Sequence, residues 1–292
     1  MPTESLLPFL PGSVTLVGAG PGDPELLTLK AVRAIRSATV LLVDDLVGDG
    51  VLAHASPNAR IVHVGKRGGC KSTPQDFIEK LMVLAAREGE VVVRLKGGDP
   101  YVFGRGGEEV QALQAAGIPF EVVPGVTAAS GCSAAAGIPL THRDFAGSCV
   151  FLPGHLADVE ASHDWQALAR PGQTRVFYMG TQRLPHIARQ LIAHGLSPNT
   201  PAAIVRDGTR PEQMVLACPF GRPADIAPAY GLQPGTLIID ATVQLSPYFH
   251  SSCSPSNTLA RFRSVIHLQS SPHHALPPSH PARLARPLRL PL

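Results

Sequence analysis

The sequence predicts an α/β protein of two domains, with a mostly parallel sheet in the N-terminal domain and a mixed sheet in the C-terminal domain. Short apolar runs alternate with longer amphipathic segments, which is the pattern of βα units in a parallel sheet. Glycine-rich turns directly follow two of the apolar runs, at the strand ends where open α/β sheets bind ligands. After Pro139 the alternation begins again with more Gly, Pro and polar residues between the runs.

The N-terminal domain is predicted over residues 13–140, after a short extension at 1–12. Continuous apolar runs indicate buried strands, and apolar stripes at helical spacing indicate amphipathic helices. The first helix is predicted to bury a stripe that consists of Leu26, Leu29, Val32, Ala34 and Ile35. The predicted elements are strand 14–17, helix 25–37, strands 40–43 and 61–64, helix 74–88, strand 91–95, helix 108–116, strand 120–123 and the small-residue helix 126–136.

The C-terminal domain is predicted over residues 141–245, and the chain of 292 residues is long enough for two cores. Heavier Gly and Pro punctuation favours a mixed sheet here. The predicted elements are strands 149–152 and 176–179, helix 184–194, and strands 202–205, 214–217 and 237–239.

Charge is unevenly distributed along the chain. The formal net charge is +3, but residues 246–292 contain five Arg, five His and no Asp or Glu. Residues 1–245 therefore carry 20 basic and 22 acidic side chains, a net charge of −2. A folded part without excess positive charge argues against a nucleic-acid partner. Residues 246–292 are rich in Pro, Ser, His and Arg, so we predict a disordered tail that can be deleted without loss of function.

Targeting signals and paired cysteines are also missing from the sequence pattern. No apolar stretch approaches the roughly 20 residues that cross a bilayer, and residues 1–11 do not resemble a secretory signal. We therefore expect a cytoplasmic protein with no membrane partner. The five cysteines are widely spread without a C-x-x-C pair, which favours reduced thiols over disulfides or a metal site. Cys132 lies in a run of small residues and is predicted to fill the core.

Two glycine-rich turns that end in Gly-Asp-Pro are the most informative motifs. They occupy residues 18–24 and 97–100, directly after the predicted strands 14–17 and 91–95. Glycine lets a ligand reach main-chain groups without meeting a Cβ. Asp before Pro is also a good helix N-terminus, so capping and ligand binding both account for the aspartates. Two such turns at strand ends favour a ligand site.

Several other ligand motifs are absent. The dinucleotide pattern G-x-G-x-x-G fails because Asp23 stands where the third glycine is required. Residues 65–72 lack the glycine before Lys71 that a phosphate-binding loop needs. Neither G-x-S-x-G nor H-E-x-x-H occurs. Hydride transfer, NTP hydrolysis and zinc-dependent hydrolysis are therefore weakly supported.

Longer sequence blocks carry a resemblance to a known family. The blocks VGAGPGD (17–23), DDLV (44–47), VGKR (64–67) and RLKGGDPYVFGRGGEE (94–109) resemble those of the tetrapyrrole methylases. The blocks VPGVTAASGCSA (123–134) and GIPLTHRD (137–144) are similar to the uroporphyrinogen-III C-methyltransferases in particular. The blocks FYMG (177–180) and GTR (208–210) continue the match, which spans about 14–245.

The resemblance implies a two-domain methyltransferase, usually a homodimer, that holds S-adenosylmethionine in the cleft between its domains. The implied reaction methylates two ring carbons of uroporphyrinogen III and gives precorrin-2, toward sirohaem and cobalamin. No metal is implied. Asp44 and Lys66 match the positions of the proton acceptor and proton donor. The implied cofactor-binding residues are Pro21, Gly97, Gly98, Asp99, Val102, Thr127, Ala128, Met179 and Gly208.

The residue types suit this chemistry. The sulfonium methyl group is already activated, so alignment with a pyrrole carbon is the main requirement. Proton movement around the macrocycle suits a carboxylate and an amine in the cleft. The substrate carries acetate and propionate groups, which guanidinium groups bind well. Our candidate substrate-binding residues are Arg67, Arg105, His142 and Arg143.

Three positions depart from the family pattern. Asp45 stands where an arginine is common, Asp207 precedes Gly208 in place of the usual pair, and Asp240 replaces a glycine at the end of the last strand. A second carboxylate beside Asp44 opposes an anionic substrate. Two alternatives stay open: methylation of a later precorrin by the same fold, and a protein that binds S-adenosylmethionine and tetrapyrrole with impaired turnover.

Overall fold

The computed structural model describes residues 9–65, 73–154, 163–221 and 235–249. They form two five-stranded sheets that follow each other along the chain. Within the described ranges, no helix is both long and apolar enough to span a membrane. The first sheet and its helices comprise β1 (Ser13–Gly18), α1 (Leu29–Ser37), β2 (Val40–Val43), α2 (Asp49–Leu52), β3 (Arg60–His63), α3 (Gln75–Arg87), β4 (Val91–Lys96), α4 (Gly106–Ala115), β5 (Phe120–Val123) and α5 (Ala128–Ala135).

The first sheet has the strand order β3-β2-β4-β1-β5, and every pairing in it is parallel. The carboxyl ends of all five strands therefore lie along one edge. β1 and β4 are neighbours, with Gly18 in register with Lys96. Helices cover both faces of the sheet, so its central strands are buried on both sides, and this explains their continuous apolar sequences.

The second sheet has the order β6-β7-β10-β8-β9 and is mixed, as the sequence predicts. β6 and β7 are parallel, and the remaining pairs are antiparallel. Its core includes Ala129, Cys132 and Ala136 of α5, so this small-residue helix packs against the second sheet although it follows the last strand of the first. The elements are β6 (Ser148–Pro153), α6 (Trp165–Leu168), β7 (Gln173–Tyr178), α7 (Leu184–Ala193), β8 (Pro201–Arg206), β9 (Met214–Pro219) and β10 (Thr236–Ile239).

The first helix begins later than the sequence predicts. A 3-10 turn at Pro24–Leu26 precedes it, and Thr28 caps α1 by accepting a hydrogen bond from the Ala31 N–H at 3.0 Å. The buried face of the helix therefore differs from the predicted stripe. Leu29 is 87% exposed, whereas Ala31, Ala34 and Ile35 are buried. A local side-chain cap, which apolar periodicity does not reveal, decides where this helix starts.

Three ionisable side chains are buried together beneath the carboxyl edge of the first sheet. Glu109 of α4 accepts hydrogen bonds through one oxygen, Oε1, from Arg94 Nε and Lys96 Nζ, each at 3.0 Å. Arg94 also donates to the carbonyl oxygens of Leu42 and Leu95. Burial is the main cause that lowers the pKa of Lys96, followed by the charge of Arg94. The cluster thus combines two basic side chains, Arg94 and Lys96, with one carboxylate, that of Glu109.

Removing the carboxylate of this cluster should destabilise the fold strongly. We expect Glu109→Gln to lower the free energy of unfolding by about 3–5 kcal/mol, because two buried cations lose their counter-charge. Its neighbour Glu108 pairs with Arg105 at the surface, so Glu108→Gln is a matched control that should cost at most about 1 kcal/mol. Urea unfolding of both variants measures the difference, and equal losses would contradict this account.

The ordered chain continues beyond the predicted end of the second domain. The Ser246 hydroxyl donates to the Ala136 carbonyl at 2.6 Å, and Tyr248 and Phe249 pack against the core of the second sheet. The predicted boundary between residues 245 and 246 therefore falls inside packed structure, four residues before the described chain ends at 249. The rest of the predicted tail, from residue 250, lies outside the described residues, as do residues 1–8 of the predicted extension at 1–12.

Two truncations should show which residues after Leu245 stabilise the fold. Ending the chain after Phe249 should leave the thermal midpoint unchanged. Ending it after Leu245 should lower the midpoint by several degrees, because the buried hydrogen bond of Ser246 and two aromatic contacts are lost. Scanning calorimetry makes the comparison, and a large loss on the longer truncation would show that the tail contributes to the fold.

Candidate active site

Three glycine turns pack together at the carboxyl edge of the first sheet. Gly20 N–H donates to Gly98 O at 3.1 Å, and Gly98 N–H donates to Gly20 O at 2.7 Å. The turn after β5 lies against both, because a Cβ on Gly18 would stand 2.5 Å from Gly125 N and 2.7 Å from Gly98 O. Only residues without a side chain fit here. The turns after β1, β4 and β5 thus form a floor of bare backbone.

The two aspartates of the Gly-Asp-Pro turns both cap their own chain. Asp23 Oδ1 accepts a hydrogen bond from the Glu25 N–H at 2.8 Å, and Asp99 Oδ1 accepts one from the Tyr101 N–H at 2.8 Å. Asp99 does more, because its Oδ2 accepts from the Gly125 N–H at 3.0 Å. The carboxylate of Asp99 therefore ties the β4 turn to the β5 turn and fixes the floor.

The N-terminus of α5 faces the end of β7 across the floor. The Tyr178 hydroxyl forms a hydrogen bond with Thr127 Oγ1 at 2.7 Å and accepts one from the Ala129 N–H at 3.2 Å. The ring of Phe103, from the β4 turn, packs 4.9 Å from the Tyr178 ring, centroid to centroid. Burial raises the pKa of the Tyr178 hydroxyl, which keeps it neutral. Tyr178 thus connects the second sheet to two loops of the first.

Small side chains let the remaining predicted cofactor residues approach one another. A Cβ on Gly208 would meet Cys132 Sγ at 2.5 Å, and a Cβ on Gly97 would meet Leu46 Cβ at 2.6 Å. Pro21 packs directly on Gly131 of α5. Burial raises the pKa of the Cys132 thiol, in agreement with its prediction as a core residue. Val102 and Ala128 are half-buried against the second core, and Met179 is 39% exposed. We use the word cleft for the region between the floor, the start of α5 and the end of β7.

Strained backbone is concentrated in the loops around this cleft. Five non-glycine residues in the described part of the chain have a positive φ, and all five lie after β4, β7 or β8. Left-handed backbone costs a side-chain-bearing residue on the order of 1 kcal/mol or more and persists where surrounding contacts demand it. The residues are Phe103 (φ 53), Arg105 (φ 58), Met179 (φ 55), Asp207 (φ 49) and Thr209 (φ 70).

Asp44 lies at the same edge, directly after β2. Its N–H donates to the Leu95 carbonyl at 3.1 Å, which continues the register of β2 with β4 and places Asp44 beside Lys96. The carboxylate charge of Asp44 raises the pKa of Lys96, against the larger effect of burial. A short turn follows, in which the Val47 N–H donates to Asp44 O at 3.2 Å. Asp44 is half-buried.

The predicted substrate-binding residues differ in their surroundings. Arg105 forms a two-pronged ion pair with Glu108, which raises the pKa of the guanidinium. His142 accepts a hydrogen bond from the Asp144 N–H at 3.1 Å through Nδ1, and Arg143 is exposed. The predicted catalytic Lys66 and substrate-binding Arg67 lie outside the described residues.

The three departures from the family pattern have local structural explanations. Asp45 is exposed and packs against Gly65, at the end of β3. Asp207 accepts a hydrogen bond from Arg206 Nε at 3.0 Å. Asp240 is buried and accepts a hydrogen bond from the Thr242 N–H at 3.0 Å, which caps the 3-10 helix Ala241–Leu245. Asp207 therefore pairs with its neighbour Arg206 at the surface, and Asp240 stabilises the backbone that follows β10.

Sequence reasoning missed three residues that join the two sheets. Tyr178, Thr209 and Arg210 all lie in blocks that match the family, but nothing in their spacing shows what they contact. Thr209 Oγ1 accepts a hydrogen bond from the Asp23 N–H at 3.1 Å, and Arg210 Nη2 donates to Leu46 O at 2.6 Å. The only sequence signal is position, since Tyr178 ends β7 and the other two residues lie in the loop after β8. No group of His, Cys, Asp and Glu suited to a metal ion occurs among the described residues.

Comparison with solved structures identifies relatives of this fold. A uroporphyrin-III C-methyl transferase from Thermus thermophilus, solved in complex with S-adenyl homocysteine, is 41% identical with a TM-score of 0.67, over 80% of this chain and 99% of that one. A cobalt precorrin-4 methyltransferase is 27% identical with a TM-score of 0.71, over 81% of this chain and 97% of that one.

The curated relatives of this chain are longer proteins, and the chain matches one part of each. The siroheme synthase of Nitrosomonas europaea is 50% identical over 254 residues, which is 86% of this chain and 54% of that protein. That of Methylococcus capsulatus is 53% identical over 229 residues, 78% of this chain and 48% of that protein. The chain thus spans about half the length of these relatives. The family model described as Tetrapyrrole (Corrin/Porphyrin) Methylases matches residues 13–224, and the chain belongs to this family.

Proposed function

We propose that this chain transfers methyl groups from S-adenosylmethionine to two ring carbons of uroporphyrinogen III, giving precorrin-2 for sirohaem or cobalamin biosynthesis. The observation that carries the proposal is the floor of bare backbone between Tyr178 and the Asp44 turn, in a chain 41% identical over 99% of a uroporphyrin-III C-methyl transferase. A homodimer, which the family resemblance implies, and a cytoplasmic location, which the sequence pattern led us to expect, are part of the proposal.

The residues of the cleft fit the methyl donor. Gly97 and Gly98 offer main-chain groups without a Cβ in the way, and Gly98 has φ +67, a conformation that favours glycine. Thr127 is the N-cap of α5 and Ala128 is its first residue, and a helix start suits a polar ligand because its first N–H groups have no partners within the helix. Val102 and the half-exposed Met179 supply apolar walls. Bound S-adenosylmethionine would supply a methyl group activated by its sulfonium charge.

Asp44 is the group that handles the proton in this proposal. When a pyrrole carbon of the substrate forms its new bond to methyl, the macrocycle must lose one proton. The carboxylate of Asp44 accepts it at the carboxyl edge of β2, where the register with β4 holds the backbone in place. Lys66, which follows β3 in the sequence, is proposed to donate a proton when the macrocycle tautomerises, a step in which one proton is added at one atom and another leaves from a second atom.

Anaerobic methyl transfer tests the proposal directly. Purified protein is incubated with enzymatically generated uroporphyrinogen III and methyl-labelled S-adenosylmethionine, and the mass of the oxidised product is measured. We expect two added methyl groups. The likeness to a cobalt precorrin-4 methyltransferase makes a later precorrin the second candidate substrate, so it is assayed in parallel. Transfer to that substrate alone would replace the proposal, and donor binding without any transfer would indicate impaired turnover.

Substituting two adjacent aspartates should separate catalysis from surface charge. We expect Asp44→Asn to lower kcat at least about a hundredfold, because the proton acceptor is lost. Asp45→Asn is the matched control at the next residue, since Asp45 is exposed and lies toward β3. It should leave kcat unchanged and lower KM for the anionic substrate, because one repelling charge is removed. Equal losses of kcat in both variants would remove Asp44 from its proposed role.

The Tyr178 hydroxyl should support binding of the methyl donor. Tyr178→Phe leaves Thr127 Oγ1 and the Ala129 N–H without their partner, so we expect a loss of about 1–3 kcal/mol in stability and about tenfold weaker binding of S-adenosylhomocysteine. Tyr101→Phe is the control, because the Tyr101 side chain is 58% exposed. Calorimetric titration measures the affinity, and unchanged binding by Tyr178→Phe would assign the hydroxyl a purely structural role.

A further inference from the structure

One contact links the second sheet to the turn that carries Asp44. Arg210 follows β8 and donates from Nη2 to the carbonyl oxygen of Leu46 at 2.6 Å. Leu46 lies inside the turn that begins at Asp44 and is closed by the hydrogen bond from the Val47 N–H to Asp44 O. A guanidinium donor makes this hydrogen bond charge-assisted and therefore stronger than one between neutral groups.

The loop that carries Arg210 is rigidly built. Asp207 and Thr209 have positive φ, and the Thr209 N–H donates to Gln213 Oε1 at 2.9 Å. Gln213 in turn donates to the Ala135 carbonyl at 3.2 Å, at the end of α5. Strain of this kind persists only where surrounding contacts fix the backbone, so the loop is a firm support for Arg210.

Space for the arginine stem is provided by a glycine of the β1 turn. A Cβ on Gly22 would stand 2.6 Å from both Cγ and Nε of Arg210. The stem therefore lies across the β1 turn on its way to the Asp44 turn. Within the described residues no carboxylate lies within 4.0 Å of the guanidinium, so the Leu46 carbonyl is the acceptor that fixes its direction.

We propose that Arg210 is a positioning residue, which holds the Asp44 turn against the second sheet through the Leu46 carbonyl and thereby fixes the Asp44 carboxylate in the cleft. The role of Asp44 in proton transfer rests on the proposed function, but the contact between Arg210 and the turn does not. A displacement of a catalytic group by about 1 Å can cost a hundredfold in rate, so this contact links the arrangement of the sheets to turnover.

Hydrogen exchange tests the positioning role without any activity. Arg210→Met keeps the stem over Gly22 and removes the donors. We expect the Val47 amide to exchange about fivefold faster, the equivalent of one lost hydrogen bond, while the amides of α1 stay unchanged. Arg210→Lys retains a cationic donor and should restore much of the protection, and it also serves if Arg210→Met does not fold. Arg189→Met, an exposed arginine on α7, is the control. Unchanged exchange at Val47 would overturn the proposal.

A double-mutant cycle then tests whether the effect on turnover passes through Asp44. We expect Arg210→Met to lower kcat at least about tenfold, with KM for S-adenosylmethionine changed less than threefold. In an Asp44→Asn background the same substitution should have no further effect, because the group that it positions is already lost. Losses that multiply would show a general structural role and contradict the proposal. An inactive wild-type protein would reject the proposed function, while the exchange measurement would still decide on Arg210.

Discussion

The close approach of three turns is the constraint on which the rest of the structure depends. Gly18 and Gly125 leave no space for a Cβ, because each would meet the backbone of another turn, and Gly98 has φ +67, a conformation that favours glycine. Backbone neighbours cannot rotate away as side chains do, so a larger residue at these positions would separate the strand ends. The parallel order of the first sheet brings β1, β4 and β5 to one edge, and glycine allows their turns to close into a floor. The proposed cofactor residues Gly97, Gly98 and Asp99 lie in one of these turns.

A second constraint joins this floor to the other sheet. Tyr178 bonds to Thr127 and Ala129 at the start of α5, while Cys132 further along the helix packs against Gly208. Because α5 belongs to the second core although it follows β5, the chain crosses between the sheets within a helix rather than within a free linker. Arg210 makes the return connection to the Asp44 turn. The cleft is therefore held from both sides.

The sequence predicts the elements well because both faces of the first sheet are buried. A strand such as β2 reads as a continuous apolar run, and a helix such as α3 shows one buried stripe. The turns with Gly-Asp-Pro were also predictable, since glycine and capping aspartate have strong local preferences. The start of α1 was not, because Thr28 competes with the upstream residues for the cap.

Contacts between distant residues lie beyond such local rules. Tyr178 and Thr127 are 51 residues apart, and Arg210 and Leu46 are 164 apart. Periodicity reports the burial of a side chain and not its partner, so the residues that join the sheets were recognisable only as parts of family blocks. The pairing of Arg105 with Glu108 is local, but it competes with the substrate role that the sequence suggests for Arg105.

The buried charges beneath the carboxyl edge of the first sheet bear on the proposed role of Asp44. Arg94 and Glu109 alone would form a balanced pair, and the fold gains no stability from burying a second basic group beside them. Lys96 nevertheless lies there, with a pKa lowered mainly by burial and raised in part by Asp44. Under the proposed function, Asp44 accepts a proton from a substrate ringed by acetate and propionate groups. We propose that the two basic side chains beneath the turn lessen the repulsion between the Asp44 carboxylate and the carboxylates of that substrate. On this proposal, the desolvation of Lys96 is the cost of placing a proton acceptor next to a polyanion.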